Sequence, residues 1–373
     1  MSFFYLTADS IGQQSGGGKV TEQESTALFD LAMEQGEECH IWGRQQLVRG
    51  IEAYGPEPWC WDKQLLESIN FREDIQLAHF YAGTFSALIQ TLKRRTKISY
   101  TAAAHSVDLS EREHTRLGLP FNYPHLTDPN LWNCYVDGYR NADVVICPSQ
   151  HSAECMRRYG CERIKVIPHG TDVPEQVLPP PQKFVLGYLG AVGPDKGLIY
   201  LLRAWKKLNY NDALLILAGR DSTSDFVQSL IYRVYREEEP LILASGGNKI
   251  FRGVQVPPHE TIQLIGWVPR VDSFYQAISL YVQPSVTEGF GIEVLEAMAH
   301  ARPVLCSTGA GAADVVPETW RFPAADVDAL AEKIDQFRKA DLGLMGKVSR
   351  ELAREYEWQY IRKRYQKVWR NLP

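Results

Sequence analysis

The feature that most constrains this chain is an alternation that occurs twice: short runs rich in Val, Ile, Leu and Tyr interleaved with longer stretches of helical period, broken once by prolines. Parallel strands covered on both faces by helices read this way. The first series predicts strands at 3–7, 38–42, 75–80, 98–103, 143–147 and 165–168, the second at 184–189, 213–218, 262–267, 280–283 and 303–306. A helix is expected at 22–35, with Thr21 and Glu24 as a capping box and Gly36 just past its end. The break at 174–182 contains Pro179, Pro180 and Pro181, which lack the N–H donor and fix φ, so it fits neither a helix nor a central strand. The domain boundary is placed there, giving domains at 1–173 and 183–356.

A length of 373 residues lets each half bury a core without staples. The 40 Lys+Arg against 45 Asp+Glu give no global reason to expect a nucleic-acid partner, whose binders usually carry a basic face. Cys39, Cys60, Cys134, Cys147, Cys155, Cys161 and Cys306 are scattered, with no CxxC pair, and read as reduced packing residues of a cytoplasmic protein. No run of about 18 apolar residues occurs, and the first apolar stretch is too short for a signal segment. Basic clusters at Lys93, Arg94, Arg95 and Lys97 and on the last helix leave a peripheral contact at the inner face of a membrane open. Oligomeric state is unknown from the sequence. The stretch 222–260, with Glu237 to Glu239 and the pair Gly246 and Gly247, is read either as a solvated helix pair or as an insertion that shapes an acceptor or subunit contact.

The chemistry concentrates at 284–314, PSVTEGFGIEVLEAMAHARPVLCSTGAGAAD. This stretch begins where a strand ends, turns through Gly289 and Gly291 and continues as a helix, and ligand crevices form at such strand ends. The glycines allow close approach of a ligand to Gly289, Phe290, Gly291 and Ile292, and the free N–H groups of a first helical turn suit an anion or hydroxyl. Glu288 precedes the turn and Glu296 lies about two helical turns on. Paired glutamates at this spacing are often surface charges, but two carboxylates flanking one helix start also suit a sugar with a ribose nearby. Lys196, in a glycine-rich loop that begins at Gly190 after a strand, is placed to meet a diphosphate. Gly16, Gly17 and Gly18 before the first helix form a second candidate nest of backbone donors.

The string EGFGIEVLEAMA, followed by PV and a glycine-containing turn, resembles the retaining glycosyltransferases of family four, which have the two-domain GT-B architecture. Further motifs stand in that family's order: SGGGK at 15–19, NADVVICPS at 141–149, RIKVIPHGTD at 163–172, then LGYLGAVGPDKG, LLILAG and LIGWVPR. The resemblance implies an α/β fold of two Rossmann-like domains facing a cleft, with the C-terminal helix, 357–373, crossing back to the first domain. It implies donor binding by Gly17, Gly18, Gly190, Gly219, Arg220, Gly289, Phe290, Gly291 and Ile292, with Glu288 on the donor sugar and Glu296 on the ribose. His105 matches the position of a histidine whose side chain or neighbouring backbone meets the sugar; it also suits a structural strand-end role. Three departures stand out. Ala191 occupies the place of an arginine, for which Lys19, Arg220 or Arg270 are candidate substitutes; Ala301 stands where glycine is usual; and Asp314 stands where glutamate is usual. His169, in place of an asparagine, reads as a turn residue.

The implied reaction transfers a sugar from a nucleoside diphosphate to an acceptor hydroxyl with retention, by a front-face route and without a metal. The donor expected is a UDP- or GDP-sugar ahead of an ADP-sugar, with no permanently bound cofactor; the acceptor is a carbohydrate, a lipid-linked sugar or a small metabolite. Retaining hydrolases instead use two carboxylates about 5 Å apart. Two other readings stand beside transfer: a sugar-nucleotide epimerase of the same fold, and a binding subunit that has lost catalysis, the latter motivated by Ala191.

Overall fold

The computed structural model describes residues 2–7, 11–12, 16–43, 75–81, 85–121, 129–236 and 260–372. By their contacts they separate into two units, one drawn from 1–104, 122–170 and 358–373, the other from 105–121 and 171–357.

The first unit contains β1 (Ser2–Thr7), α1 (Gly16–Gln35), β2 (Glu38–Trp42), β3 (Ile75–Tyr81), α2 (Ser86–Leu92) and β4 (Lys97–Thr101). After α3 (Val107–Arg116), which packs in the second unit, it continues with α4 (Pro129–Asn141), β5 (Val144–Cys147), α5 (Gln150–Arg158) and β6 (Ile164–Val166). All neighbouring strands pair in parallel, in the order β2-β1-β3-β4-β5-β6. β1 and β5 are buried along their whole length, as strands covered on both faces must be.

The start of α1 corrects the sequence reading. The helix begins at Gly16, so Gly17 and Gly18 lie inside its first turn and the capping-box pair lies in its interior. Thr21 donates its hydroxyl to the Gly18 carbonyl at 2.9 Å, and Glu24 is buried, accepting from the Tyr5 hydroxyl at 3.1 Å with His79 Nε2 at 3.3 Å. A capping box and a helix-interior pair share the same three-residue spacing, and three glycines conceal a helix start because of their poor propensity. Gly36 does end the helix, at φ +70°.

The second unit contains β7 (Val185–Leu189), α6 (Leu198–Leu208), β8 (Leu214–Ala218), α7 (Asp225–Arg236), β9 (Ile262–Gly266), α8 (Val271–Ala277), β10 (Leu280–Gln283), α9 (Ile292–Ala299), β11 (Val304–Ser307), β12 (Arg321–Phe322), α10 (Val327–Arg338) and α11 (Leu342–Arg354). Its parallel sheet runs β12-β11-β10-β7-β8-β9. Strand order therefore reverses between β7 and β10, the topological switch point at which open α/β sheets leave a crevice beyond the strand ends. Of the 222–260 stretch, 225–236 forms α7; Glu237 to Glu239, Gly246 and Gly247 lie outside the described residues.

The chain ends in α12 (Trp358–Arg370), which packs on the first unit through Trp358, Ile361, Tyr365 and Trp369; Trp369 Nε1 donates to Ser99 Oγ at 3.0 Å. The proline-rich joint is held on the second unit instead. Arg350 donates to the Pro174 carbonyl, and the fully buried Arg302 donates to the Leu178 carbonyl at 2.9 Å. Cys147, Cys155, Cys161 and Cys306 are free and buried, and Cys39 is free; Cys60 and the Cys134 side chain lie outside the described residues. Among the described residues no helix is long and apolar enough to cross a membrane.

Candidate active site

Two loops flank the switch point of the second unit. The first leaves β7 at Gly190 and closes with a 3-10 turn over Pro194–Lys196 before α6; the second leaves β10 and reaches α9 through Glu288 and Gly289. Backbone bonds stitch them together: Val286 N–H donates to the Asp195 carbonyl at 2.7 Å. Gly197 has φ +71°, and a Cβ there would lie 2.0 Å from the Pro284 carbonyl oxygen, so only glycine allows the two loops this approach.

At their meeting point the ammonium of Lys196 is ion-paired and hydrogen-bonded to Glu288 Oε2, with Asp195 Oδ2 at 3.8 Å. Burial works against the charge on both partners, and the pairing outweighs it: Lys196 is held above the usual lysine range and Glu288 below the usual carboxylate range. Glu288 is fixed at its backbone as well, donating N–H to the Gly309 carbonyl at 3.0 Å and accepting from Gly311 N–H at 3.0 Å. His105 packs in this unit beside the pair. Burial and the neighbouring Lys196 charge lower its pKa, so its imidazole is neutral near pH 7. The next residue anchors it, since Ser106 N–H donates to Thr287 Oγ1 at 2.8 Å while the Ser106 hydroxyl caps α3.

The helix that follows begins as expected. Gly291, at φ +94°, is the N-cap of α9, and Ile292 opens its first turn. Phe290 is buried, its carbonyl accepting from Ala312 N–H at 2.7 Å. Glu296 is 8% exposed and accepts from the Tyr275 hydroxyl at 2.8 Å. At the β8 end, Gly219 has φ +115° and would drive a Cβ to 2.0 Å from the Gly190 carbonyl oxygen; Arg220 follows in an exposed turn. Lys196, Glu288 and His105 are thus brought together, with Glu296 on the same helix-and-loop segment as Glu288. Gly17 and Gly18 belong to the first unit.

The sequence reading missed three contributors. Asp195 is a second carboxylate on Lys196, Tyr275 orients Glu296, and Glu293 is a half-buried acid whose pKa burial, with Glu296 and Glu288 nearby, pushes up to about 7. Only Glu293 left a signal, as the residue one turn before Glu296. His169, read as a turn residue, is buried in the first unit beside Trp358. Among the described residues no group of three or more His, Cys, Asp or Glu side chains stands together as a metal site.

The description "Glycosyl transferases group 1" matches residues 183–339, and "Glycosyltransferase Family 4" matches 37–175. The chain is 29% identical over 201 residues to the O-antigen chain mannosyltransferase B of Escherichia coli, which covers 50% of this chain and 47% of that protein. It thus spans under half the length of that curated relative. In fold it resembles sucrose-phosphate synthase from Thermosynechococcus elongatus, with TM-score 0.73 and 18% identity, covering 100% of this chain and 99% of that one. It also resembles the Anabaena protein HepE in complex with UDP-glucose, with TM-score 0.66 and 16% identity, covering 99% of each chain.

Proposed function

Because the chain belongs to the group 1 and family 4 glycosyltransferases, we propose that it moves a sugar from a nucleoside diphosphate sugar to an acceptor hydroxyl with retention at the anomeric carbon. The observation that carries this reading is the cation–carboxylate pair Lys196 and Glu288, poised at the ends of β7 and β10 on either side of the switch point.

Each residue has a role that its chemistry suits. Lys196 meets the diphosphate and, with backbone N–H groups from Gly289 to Ile292, stabilises the charge that develops there as the glycosidic bond breaks. Glu288 accepts from donor-sugar hydroxyls and Glu296 from the ribose. His105, neutral, can donate or accept one hydrogen bond at the sugar without adding charge. Gly190, Gly219 and Arg220 line the donor side at neighbouring strand ends. In the front-face step the bond from anomeric carbon to phosphate oxygen breaks, the acceptor oxygen bonds to that carbon on the same face, and its proton passes to the departing phosphate. No protein nucleophile is assigned.

The charge handling falls to Lys196 and the backbone, so transfer is expected to be insensitive to chelator. UDP- and GDP-sugars rank first as donors, the HepE complex with UDP-glucose adding weight to UDP. A carbohydrate or lipid-linked acceptor fits the O-antigen relative. For a lipid-linked acceptor, the exposed Lys93, Arg94, Arg95 and Lys97, tied to the C-terminal end by Lys97 Nζ donating to the Leu372 carbonyl at 2.8 Å, supply a basic face for anionic headgroups.

The test is calorimetric titration of UDP, GDP and ADP, with and without chelator, onto the wild type and Glu296→Ala, followed by transfer assays with sugars of the nucleotide that binds. Chelator-insensitive binding of one nucleotide, weakened in the variant, supports the reading. Absence of any nucleotide binding overturns it, and lost turnover that magnesium restores overturns metal independence.

A further inference from the structure

Resting on that donor reading, we infer that the Lys196–Glu288 ion pair is a placeholder that makes the site favour a nucleotide sugar over the bare nucleoside diphosphate left after transfer. Any anion that takes the Lys196 ammonium competes with carboxylates already on it, Glu288 in direct contact and Asp195 at 3.8 Å. The side chains of Lys196 and Glu288 are only 23% and 24% exposed, so neither charge regains full hydration if the pair opens. Removing the partner of a desolvated charge is costly, whereas exchanging one partner for another is not.

A ligand's chemistry decides which of these happens. A nucleotide sugar brings a diphosphate for Lys196 and hydroxyls for Glu288, so both members of the pair change partners. A nucleoside diphosphate brings phosphates for Lys196 but no donor-sugar hydroxyls for Glu288: Lys196 is satisfied, and Glu288 is left half-buried, without its cation, beside an added anion. Backbone bonds to Gly309 and Gly311, with the bond of its loop to Asp195, hold the Glu288 main chain in place, so its carboxylate stays tethered within reach of Lys196. Glu288 thus serves the bound donor as a hydroxyl acceptor and opposes the spent donor as a competing anion. Once the sugar has gone, re-pairing with Lys196 assists release of the diphosphate.

The prediction runs against the usual effect of removing a binding-site group. UDP and GDP, each with its sugar nucleotide UDP-glucose or GDP-mannose, are titrated calorimetrically onto the wild type, Glu288→Gln and Lys196→Ala, with folding checked by circular dichroism. Gln preserves shape while removing the competing charge. Glu288→Gln is expected to bind the bare diphosphate at least tenfold more tightly than the wild type and to lose preference for the sugar nucleotide; Lys196→Ala is expected to weaken both. If Lys196→Ala weakens diphosphate binding while Glu288→Gln leaves it unchanged or weaker, the placeholder role is overturned and the donor site stands. If the wild type binds neither diphosphate, the donor reading falls and the placeholder with it.

Discussion

Tyr275 donates its phenolic hydrogen to Oε2 of Glu296 at 2.8 Å and lies 3.3 Å from the Glu293 carbonyl, so one hydroxyl from α8 fixes a carboxylate on α9. Burial, reinforced by the Glu296 charge, holds the phenol well above its usual pKa, which keeps it a donor at every working pH. That bond holds Oε2 in place, so Tyr275 sets the direction of the carboxylate. Tyr275→Phe is therefore expected to raise KM for the donor about tenfold with a small change in kcat, the signature of lost ground-state binding. Loss of a hydrogen bond to a charged group should cost about 1.5–3 kcal/mol of stability. Steady-state kinetics and thermal melts together check this; a variant with lowered kcat and unchanged KM would contradict the positioning role.

Glu293 gives the second unit a pH dependence. Its pKa is raised to about 7 by burial and by the charges of Glu296 and Glu288. Between about pH 4.5 and 7 the folded state binds this proton more tightly than the unfolded chain, so the stabilisation is fully present below that window and is lost as pH rises through 7. Glu293→Gln keeps the neutral form at every pH. Its Tm should exceed that of the wild type by a few degrees at pH 8, and the two should converge near pH 4.5. Equal Tm values at pH 8 would show that the acid is solvated rather than buried among like charges.

Much of this arrangement is legible from local pattern. The apolar runs marked the buried parallel strands because covering on both faces leaves no polar alternation to blur them, and the second glycine of EGFG marked the helix start at Gly291, where φ +94° favours glycine. β12 left no trace, because two residues, Arg321 and Phe322, are too few to show a period. The packing of α3 with the second unit was equally hidden. It follows from long-range bonds, Tyr200 to Glu113 at 3.0 Å and Ser106 to Thr287, that no local spacing encodes. Tyr275 was missed for the same reason, since the carboxylate it meets, Glu296, lies 21 residues on, whereas adjacency in sequence alone does not show that the Asp195 carboxylate meets the Lys196 ammonium.

Ala301 shows what a departure from glycine costs. It follows α9 at φ +55°, and Arg302 N–H reaches back to the Ala297 carbonyl at 3.0 Å, the closing bond of a Schellman turn that favours glycine at this position. A Cβ in the left-handed region costs roughly 1–2 kcal/mol, offset in part by the extra freedom glycine has in the unfolded chain. Ala301→Gly is expected to stabilise the second unit by about 1 kcal/mol with donor affinity unchanged. Denaturant unfolding checks the sign, and a destabilised variant would mean that the Ala301 methyl makes packing contacts worth more than its strain.

His169 makes the opposite pH prediction for the first unit. It is buried, and desolvation lowers its pKa to about 4 even though the Glu24 charge pulls the other way. The folded state holds the imidazole neutral while the unfolded chain protonates it near pH 6.5, so its contribution to stability is present above 6.5 and is lost as pH falls toward 4. The slope approaches about 1.4 kcal/mol per pH unit inside that window. His169→Asn removes the titrating group while keeping a polar side chain at this buried position. The wild type should lose more Tm than the variant between pH 7 and pH 5, with the transition followed by circular dichroism. An equal loss in both proteins would mean that His169 takes up its proton without unfolding its surroundings, and would assign the acid sensitivity of this unit to other groups.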